Sequence, residues 1–483
     1  MLRWFLSRTC FQTSSSGVSG VRGNPRSIKM GLDRKFMNVI VLGFGFMFVF
    51  TAFQTMGNIE KTILDSIQRD NPAFQGDAYT SLAIIYAVFA LCNWVSPSLI
   101  SVTGPRVAML IGAATYALFI ASFLIPQTWL LYVASCVIGF GAAVIWTGQG
   151  NYLTLNSDSN TIARNSGIFW AMLQASMFLG NLFVYIKFQG KTHIDSETRL
   201  LVFIVLIVLA GVGIVFLLIL RPAQNYDGEL AKNDTNGPVR ALVKAFKLLF
   251  TKQMLLLSLT FFYTGVELSF FSGVYGPSIG FTQQMGESAK QLVGLSGIFV
   301  GVGEVLGGAM FGILGQRTTR WGRDPIVIAG FLIHILSFFL IFLNLPNSAP
   351  FHDTMDAAFI TSNPYLAMFC SFLLGYGDSC YNTQIYSVLG SVWSEDSAPA
   401  FALFKFTQSL AAAACFFYSS HLGLYAQLGI LVVLSIIGTI SFCFVEWKAK
   451  EANAMKVKTL AYNSDCEDPC YVEGGEAGKT KGI

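Results

Sequence analysis

Charged side chains are sparse in this sequence: Asp, Glu, Lys and Arg make up 12% of its 483 residues, against about a quarter in soluble domains. With 53% hydrophobic residues and a mean hydropathy of +0.57, a water-soluble core cannot hide the apolar surface, and an ordinary soluble fold is excluded. Histidine occurs four times, and no His-rich metal spacing is formed. A Gly-rich phosphate loop with Lys and a nucleophile elbow are also missing, so neither an enzyme nor a resident metal or cofactor is expected. The nine cysteines form no dense extracellular pattern, which excludes a disulfide scaffold. Cys92, Cys136, Cys370, Cys380, Cys415 and Cys443 fall in apolar stretches and read as buried thiols. Cys466 and Cys470 stand in a polar tail, where reversible lipidation is a better reading than a metal site.

Long apolar runs are what the chain has instead. Leu200 to Leu220 carries no charged side chain between Arg199 and Arg221, and as a helix it spans roughly 30 Å, the thickness of bilayer hydrocarbon. Comparable runs lie near 38–58, 79–101, 106–125, 128–150, 166–188 and 200–220, then near 253–277, 291–315, 325–345, 364–389, 400–423 and 425–445. In lipid each must be a helix, because only a helix satisfies its own backbone polar groups. The expected fold is an all-α membrane protein of twelve transmembrane helices in two related bundles of six.

Topology follows from where the cations fall. Placed by side, 25 of the 31 Lys and Arg flank one face and 6 the other, which puts both termini and the central linker in the cytoplasm. The same bias accounts for the net charge of +4, so no nucleic-acid partner is implied. The organisation expected is a disordered extension at 1–35, a six-helix bundle at 36–221, a linker at 222–252, a second bundle at 253–446 and a disordered tail at 447–483. Residues 1–32 are Arg- and Ser-rich without an acid, a composition shared with mitochondrial transit peptides. An upstream extension with Met30 as an alternative start accounts for it equally simply. In the linker, Leu242, Val243, Phe246, Leu249 and Phe250 share one helical face and Arg240, Lys244 and Lys247 another, as expected of a helix lying on an anionic leaflet; a protein-docking site is the alternative. The sequon at 233–235 lies on the cytoplasmic side and is expected to stay unglycosylated. Nothing separates a plasma membrane from an endosomal or lysosomal one.

An internal repeat names the architecture. Gly139-Phe140-Gly141 matches Gly375-Tyr376-Gly377, Thr147 aligns with Thr383, Ser157-Asp158-Ser159 with Ser394-Glu395-Asp396, and Gln174 with Gln408. The loop Gly315-Gln316-Arg317-Thr318-Thr319-Arg320-Trp321-Gly322-Arg323 resembles the loop signature of the major facilitator superfamily, with Gly315, Arg320, Gly322 and Arg323 in place and Thr319 where an acid is usual. Gly43 to Glu60, the Gly301–Gly308 segment and Gly375-Tyr376-Gly377-Asp378 resemble the Unc-ninety-three-like branch of that superfamily. The resemblance implies the major facilitator fold. It leaves activity open, since some members look like transporters and others act as accessory subunits of channels or as escorts for immune receptors.

Ionisable groups inside hydrocarbon are costly and mark candidate sites. Those inside the expected spans are Glu267, Glu304, His334, Asp378 and Lys405, all in the second half; Ala142 and Ala171 stand opposite Asp378 and Lys405. Three carboxyl groups against one ammonium make protons or cations natural titrants. One reading makes Glu267 and Asp378 a coupling pair with Lys405 as switchable partner. Another makes Asp378 and Lys405 a structural ion pair. Glu304, in a Gly-rich helix, suits a bond across a tight helix contact, and His334 reads as structural. Gln54 and Asn58 share a face of the first span, Trp146 and Gln149 close the fourth, and Gln174 lies in the fifth. They are candidates for a cavity binding a neutral or zwitterionic solute, or for interhelical hydrogen bonds. Arg320 and Arg323 can form a cytoplasmic gate with Glu395 and Asp396. The expected function is a secondary transporter of a small solute by alternating access, coupled to protons or cations. The alternative is a non-transporting accessory subunit or trafficking chaperone for a partner membrane protein.

Overall fold

The computed structural model describes residues 34–157, 162–191, 193–222, 243, 245–318, 322–393 and 397–466. The extension before residue 34 with Met30, the sequon at 233–235, Arg320, Glu395, Asp396 and Cys470 lie outside them. Among the described residues the architecture is helical, with one isolated bridge between Thr282 and Thr354. In chain order the helices are α1 Arg34–Asp70, α2 Ala78–Cys92, α3 Ser96–Thr103, α4 Pro105–Ser122, α5 Thr128–Leu155, α6 Ile162–Gln174, α7 Ser176–Lys187 and α8 Ser196–Leu218. The second half continues with α9 Lys252–Ser269, a π turn Phe270–Tyr275, α10 Gly276–Phe281, α11 Ala289–Thr318, α12 Asp324–Asn344, α13 Pro364–Val392, α14 Ser397–Ser419 and α15 Leu424–Cys466.

These elements make twelve passes. Ten are helices long and apolar enough to cross a membrane. The other two fail on composition or continuity for visible reasons. The second pass is split into α2 and α3, with Pro at the start of α3, where a proline lacks the amide a continuous helix needs. The tenth, α13, is continuous but carries Gly375, Gly377, Asp378, Asn382, Thr383 and Gln384. Membrane-facing apolar side chains such as Leu118, Val208, Leu332 and Ile440 remain exposed on the bundle, as lipid-facing positions must.

Two boundaries depart from the sequence expectation. The first helix continues past residue 58 to Asp70, because Ile59, Ile63, Leu64 and Ile67 keep the apolar face going. The tail beyond 446 is helical to Cys466. Helix-favouring Ala, Lys, Glu and Met predominate there, and Trp447 Nε1 and Lys450 Nζ bond to Asp324 at 3.1 and 2.5 Å.

Packing repeats between halves. α4 packs on α5 as α12 does on α13, α2 on α5 as α11 on α13, and α4 on α8 as α12 on α15. The halves meet along two equivalent seams, α2 with α14 and α7 with α11. Glycines allow the second of these. The α carbons of Gly294 and Gly297 leave no room for a side chain beside the Asn181–Tyr185 segment of α7, which is how small residues bring membrane helices close.

Candidate functional site

The five ionisable groups that the apolar runs single out sit in one region of the second half, and the structure shows what surrounds each. Glu267 ends α9, just before the π turn, and is fully buried. Among the described residues no donor hydrogen-bonds either of its carboxyl oxygens, although His334 Nε2 is 3.3 Å from Oε1. His334 bonds Tyr263 OH through Nδ1 at 2.5 Å and the Leu374 carbonyl through Nε2 at 3.2 Å. A carbonyl can only accept, so Nε2 carries the hydrogen and, in the neutral ring, Nδ1 accepts from the tyrosine. The imidazole lies parallel to the Tyr381 ring, at 8° and 5.7 Å. His334 thereby joins Glu267 to the aromatic packing of α9, α12 and α13.

Asp378 accepts from Asn382 Nδ2 at 2.6 Å and interacts electrostatically with Glu267, Glu304 and Lys405. Glu304 reaches across to the first half, accepting from the Gln174 side-chain amide, while its own carbonyl accepts from Ser379 Oγ at 2.7 Å. Lys405 donates to Gln408 Oε1 at 3.0 Å and lies over the rings of Phe404 and Tyr386 at 4.7 and 5.8 Å. Among the described residues it makes no ion pair, so Asp378 and Lys405 are neighbours without direct contact.

The first-half candidates divide into two groups. Gln54 accepts from Ser176, and Asn58 Nδ2 donates to Asn181 Oδ1 at 2.8 Å and to the Val293 carbonyl at 3.1 Å. Both amides are engaged between helices. Trp146 instead belongs to an aromatic string: Phe50 to Trp146 at 4.9 Å, Trp146 to Trp170 at 5.9 Å, Trp170 to Tyr386 at 6.0 Å and Tyr386 to Phe404 at 5.7 Å. It crosses from the first half to the second and ends beside Lys405. Gln149 is buried one turn beyond Trp146 on α5.

The two faces of the molecule are closed differently. Opposite the linker, the halves are tied by polar contacts: Tyr79 OH donates to the Pro350 carbonyl at 2.8 Å, Ser420 Oγ to Asp77 Oδ1 at 2.8 Å, and Asp353 pairs with both Arg69, at 2.7 Å, and Lys290. Burial alone would push the Asp77 carboxyl up; the Lys61 charge, the Thr80 amide and the Ser420 and Thr80 hydroxyls outweigh it and hold the group below the usual carboxylate range. On the linker face the described inter-half contacts are aromatic, Trp94 meeting Phe406 at 5.2 Å and Phe246 of the linker at 6.3 Å. Among the described residues Arg323 makes no contact across it. It pairs within its own half with Glu446 at 2.8 Å and donates to Ser387 and Ser391. Its three companions in the expected gate, Arg320, Glu395 and Asp396, lie outside the described residues.

Comparison with known proteins places this architecture. The family described as "Ion channel regulatory protein UNC-93" matches residues 73–444. The chain belongs to the UNC-93 family. Among its relatives in that family, UNC93-like protein MFSD11 of Xenopus laevis is 49% identical over 433 residues, covering 86% of this chain and 97% of the relative. Protein unc-93 homolog A of Homo sapiens is 24% identical, covering 86% and 94%. Solved structures with the same fold include the peptide transporter POT in complex with sulfate, at TM-score 0.60, 15% identity and coverage of 85% and 95%. The nucleoside transporter NupG has TM-score 0.59, 14% identity and coverage of 84% and 99%. At these identities the likeness extends to the fold alone, and UNC-93 membership, with ten helices among the described residues long and apolar enough to cross a membrane, makes this an integral membrane protein.

Sequence reasoning missed Gln408, Asn382, Asp353 and Glu60. The first two are neutral and give no signal against the amides around them. Asp353 lies in a loop. Glu60 stands at the end of what reads as a shorter span, although Ile59 and Ile63 beside it signal that the apolar face continues.

Proposed function

We propose that this UNC-93 family chain is a secondary transporter that moves a small organic solute by alternating access. Glu267, Asp378 and Glu304 are the titrating groups of a proton- or cation-coupled cycle, and Lys405 is the partner that changes contacts during it. The observation that carries the reading is the convergence of three buried carboxyl groups near the seam between halves, with Lys405 beside them held by an amide and two rings. A carboxylate that can gain a proton or a cation changes its attraction for Lys405, and Glu304 transmits that change to the first half through Gln174. The aromatic string gives an apolar, flat surface for an uncharged or zwitterionic solute. The Lys and Arg bias supports an orientation with the linker and both termini in the cytoplasm. In this orientation the conformation is closed on the outer side by the Asp353, Asp77 and Tyr79 contacts.

The test begins with a thermal-shift screen of the purified chain over amino acids, organic cations and organic anions, followed by flux of the stabilising solute in proteoliposomes. Proton-driven flux is expected to be lost in Asp378→Asn and Lys405→Met. Unchanged flux in both variants overturns the coupling role. The family description favours a second reading, an accessory subunit or trafficking chaperone for a channel. Stable co-purification with one membrane protein, together with no flux in vesicles, selects it.

A further inference from the structure

Glu60 is a fully buried acidic side chain of the first half that the coupling cycle leaves unused. It lies on α1 with no exposed surface, among the buried Met56, Ile59, Ile63 and Leu64. Among the described residues no donor hydrogen-bonds either carboxyl oxygen. The neighbouring cation does not serve it: Lys61 pairs with Asp77 at 3.3 Å and lies over the Tyr79 ring at 5.3 Å. The polar groups that act on Glu60 are Ser81 and Asp77. Asp77 has the same sign as an ionised Glu60 and cannot neutralise it.

Hydrogen counting settles what Ser81 can offer. Ser135 Oγ donates its one hydrogen to the Leu131 carbonyl at 2.7 Å. In the 2.9 Å contact between Ser81 Oγ and Ser135 Oγ, Ser81 must then be the donor. Its hydrogen is used, and toward Glu60 it can only accept. With its hydrogen given to Ser135, Ser81 has none to offer an ionised Glu60, and a buried carboxylate without a donor is far costlier than a neutral carboxyl group. Among the described residues no group of three His, Cys, Asp or Glu side chains could hold a metal ion. α5 faces this corner with Ser135, α2 with Asp77, Tyr79 and Ser81, and α14 brings Ser420 to Asp77 and Cys415 toward Tyr79.

We propose that Glu60 binds a single proton in the core of the first half, and that the start of α2 seals it there. The seal follows from where the groups that act on the acid stand, Asp77 and Ser81 at the start of α2. The same turn of α2 that supplies Asp77, Tyr79 and Ser81 also ties the halves together through Tyr79 to the Pro350 carbonyl and Ser420 to Asp77. Exchange of the proton with water then requires these inter-half contacts to open. This site is separate from the carboxyl cluster around Asp378 and does not rest on its role.

The test uses the full chain in lipid nanodiscs. Glu60→Gln keeps shape and removes ionisation, so the variant is expected to fold and melt at the wild-type temperature at neutral pH. Its infrared spectrum is expected to lose one carbonyl band of a protonated carboxyl group. A Gln variant that fails to fold, melts lower, or retains the full protonated-carboxyl intensity overturns the site. For the seal, deuterium exchange of that band is expected to speed up in the double variant Tyr79→Phe, Ser420→Ala; an unchanged exchange rate overturns it.

Discussion

A β carbon on Gly377 would enter the imidazole of His334, whereas one on Gly308 would meet nothing within 4 Å. His334 has little room to retreat, because Tyr263 and the Leu374 carbonyl hold its two nitrogens and the Tyr381 and Phe338 rings stack against it. Gly377→Ala is therefore expected to destabilise the detergent-solubilised chain by about 1–3 kcal/mol, the usual cost of overpacking. Gly308→Ala should stay within about 0.5 kcal/mol or gain from helix propensity. Thermal melts of the two variants check this, and equal losses would mean His334 is not the constraint. At this scale much of the candidate site was legible, for one reason: a charge inside an apolar run stands out, and Glu267, Glu304, Asp378 and Lys405 all do. Their partners were not legible. Nothing in the spacing of Lys405 says whether it pairs with Asp378 or donates to Gln408 three residues on, since both lie within reach of a four-carbon stem. His334 read as structural because a lone histidine carries no sign of the Glu267 packed against it from another helix.

The helices themselves were legible wherever length and hydropathy agree, and misjudged where an end is set by tertiary contact. The last helix outruns its apolar segment because Asp324, at the start of α12, accepts from Trp447 and Lys450; that contact is invisible in the segment's own composition. The start of α2 shows how one residue serves an element. Asp77 caps the helix by accepting from the Thr80 amide at 2.8 Å, and also takes Lys61 at 3.3 Å and Ser420 at 2.8 Å. Asn in its place keeps an acceptor for the cap but loses the charge. Asp77→Asn is expected to cost roughly 1 kcal/mol at neutral pH, as for a partly exposed pair. The pH dependence has a definite sign. A carboxyl held below its ordinary value gives stability that is fully present above the ordinary carboxylate range and is lost as pH falls through the lowered folded value. Melting curves of wild type and Asp77→Asn should therefore converge on acidification, and a constant gap from neutral to acid pH would rule out the charge as its source.

The two halves share their packing pattern but not their charges, and the closure opposite the linker depends on a residue outside that repeat. Asp353, in the loop between α12 and α13, binds Arg69 of the first half and Lys290 of the second. Its carboxylate is 10% exposed and the Lys290 side chain 7%, so neither charge is solvated without the other. Asp353→Asn leaves Lys290 nearly buried and unpaired, a loss of about 3–5 kcal/mol for breaking such a pair. Separation of the halves on this face would return Lys290 to water and recover part of that loss, which favours the opened conformation. A differential of about 3 kcal/mol changes the ratio of two conformations by more than about a hundredfold. Spin labels at Gln68 and Met355, both exposed on this face, report the separation directly. Their distance distribution is expected to gain a longer component in Asp353→Asn and to return to the wild-type distribution when Lys290→Met removes the stranded charge as well. A distribution unchanged by Asp353→Asn would show that the Tyr79 and Asp77 contacts are sufficient to hold the halves closed, and that the Asp353 pairs fix the loop without setting the conformational balance.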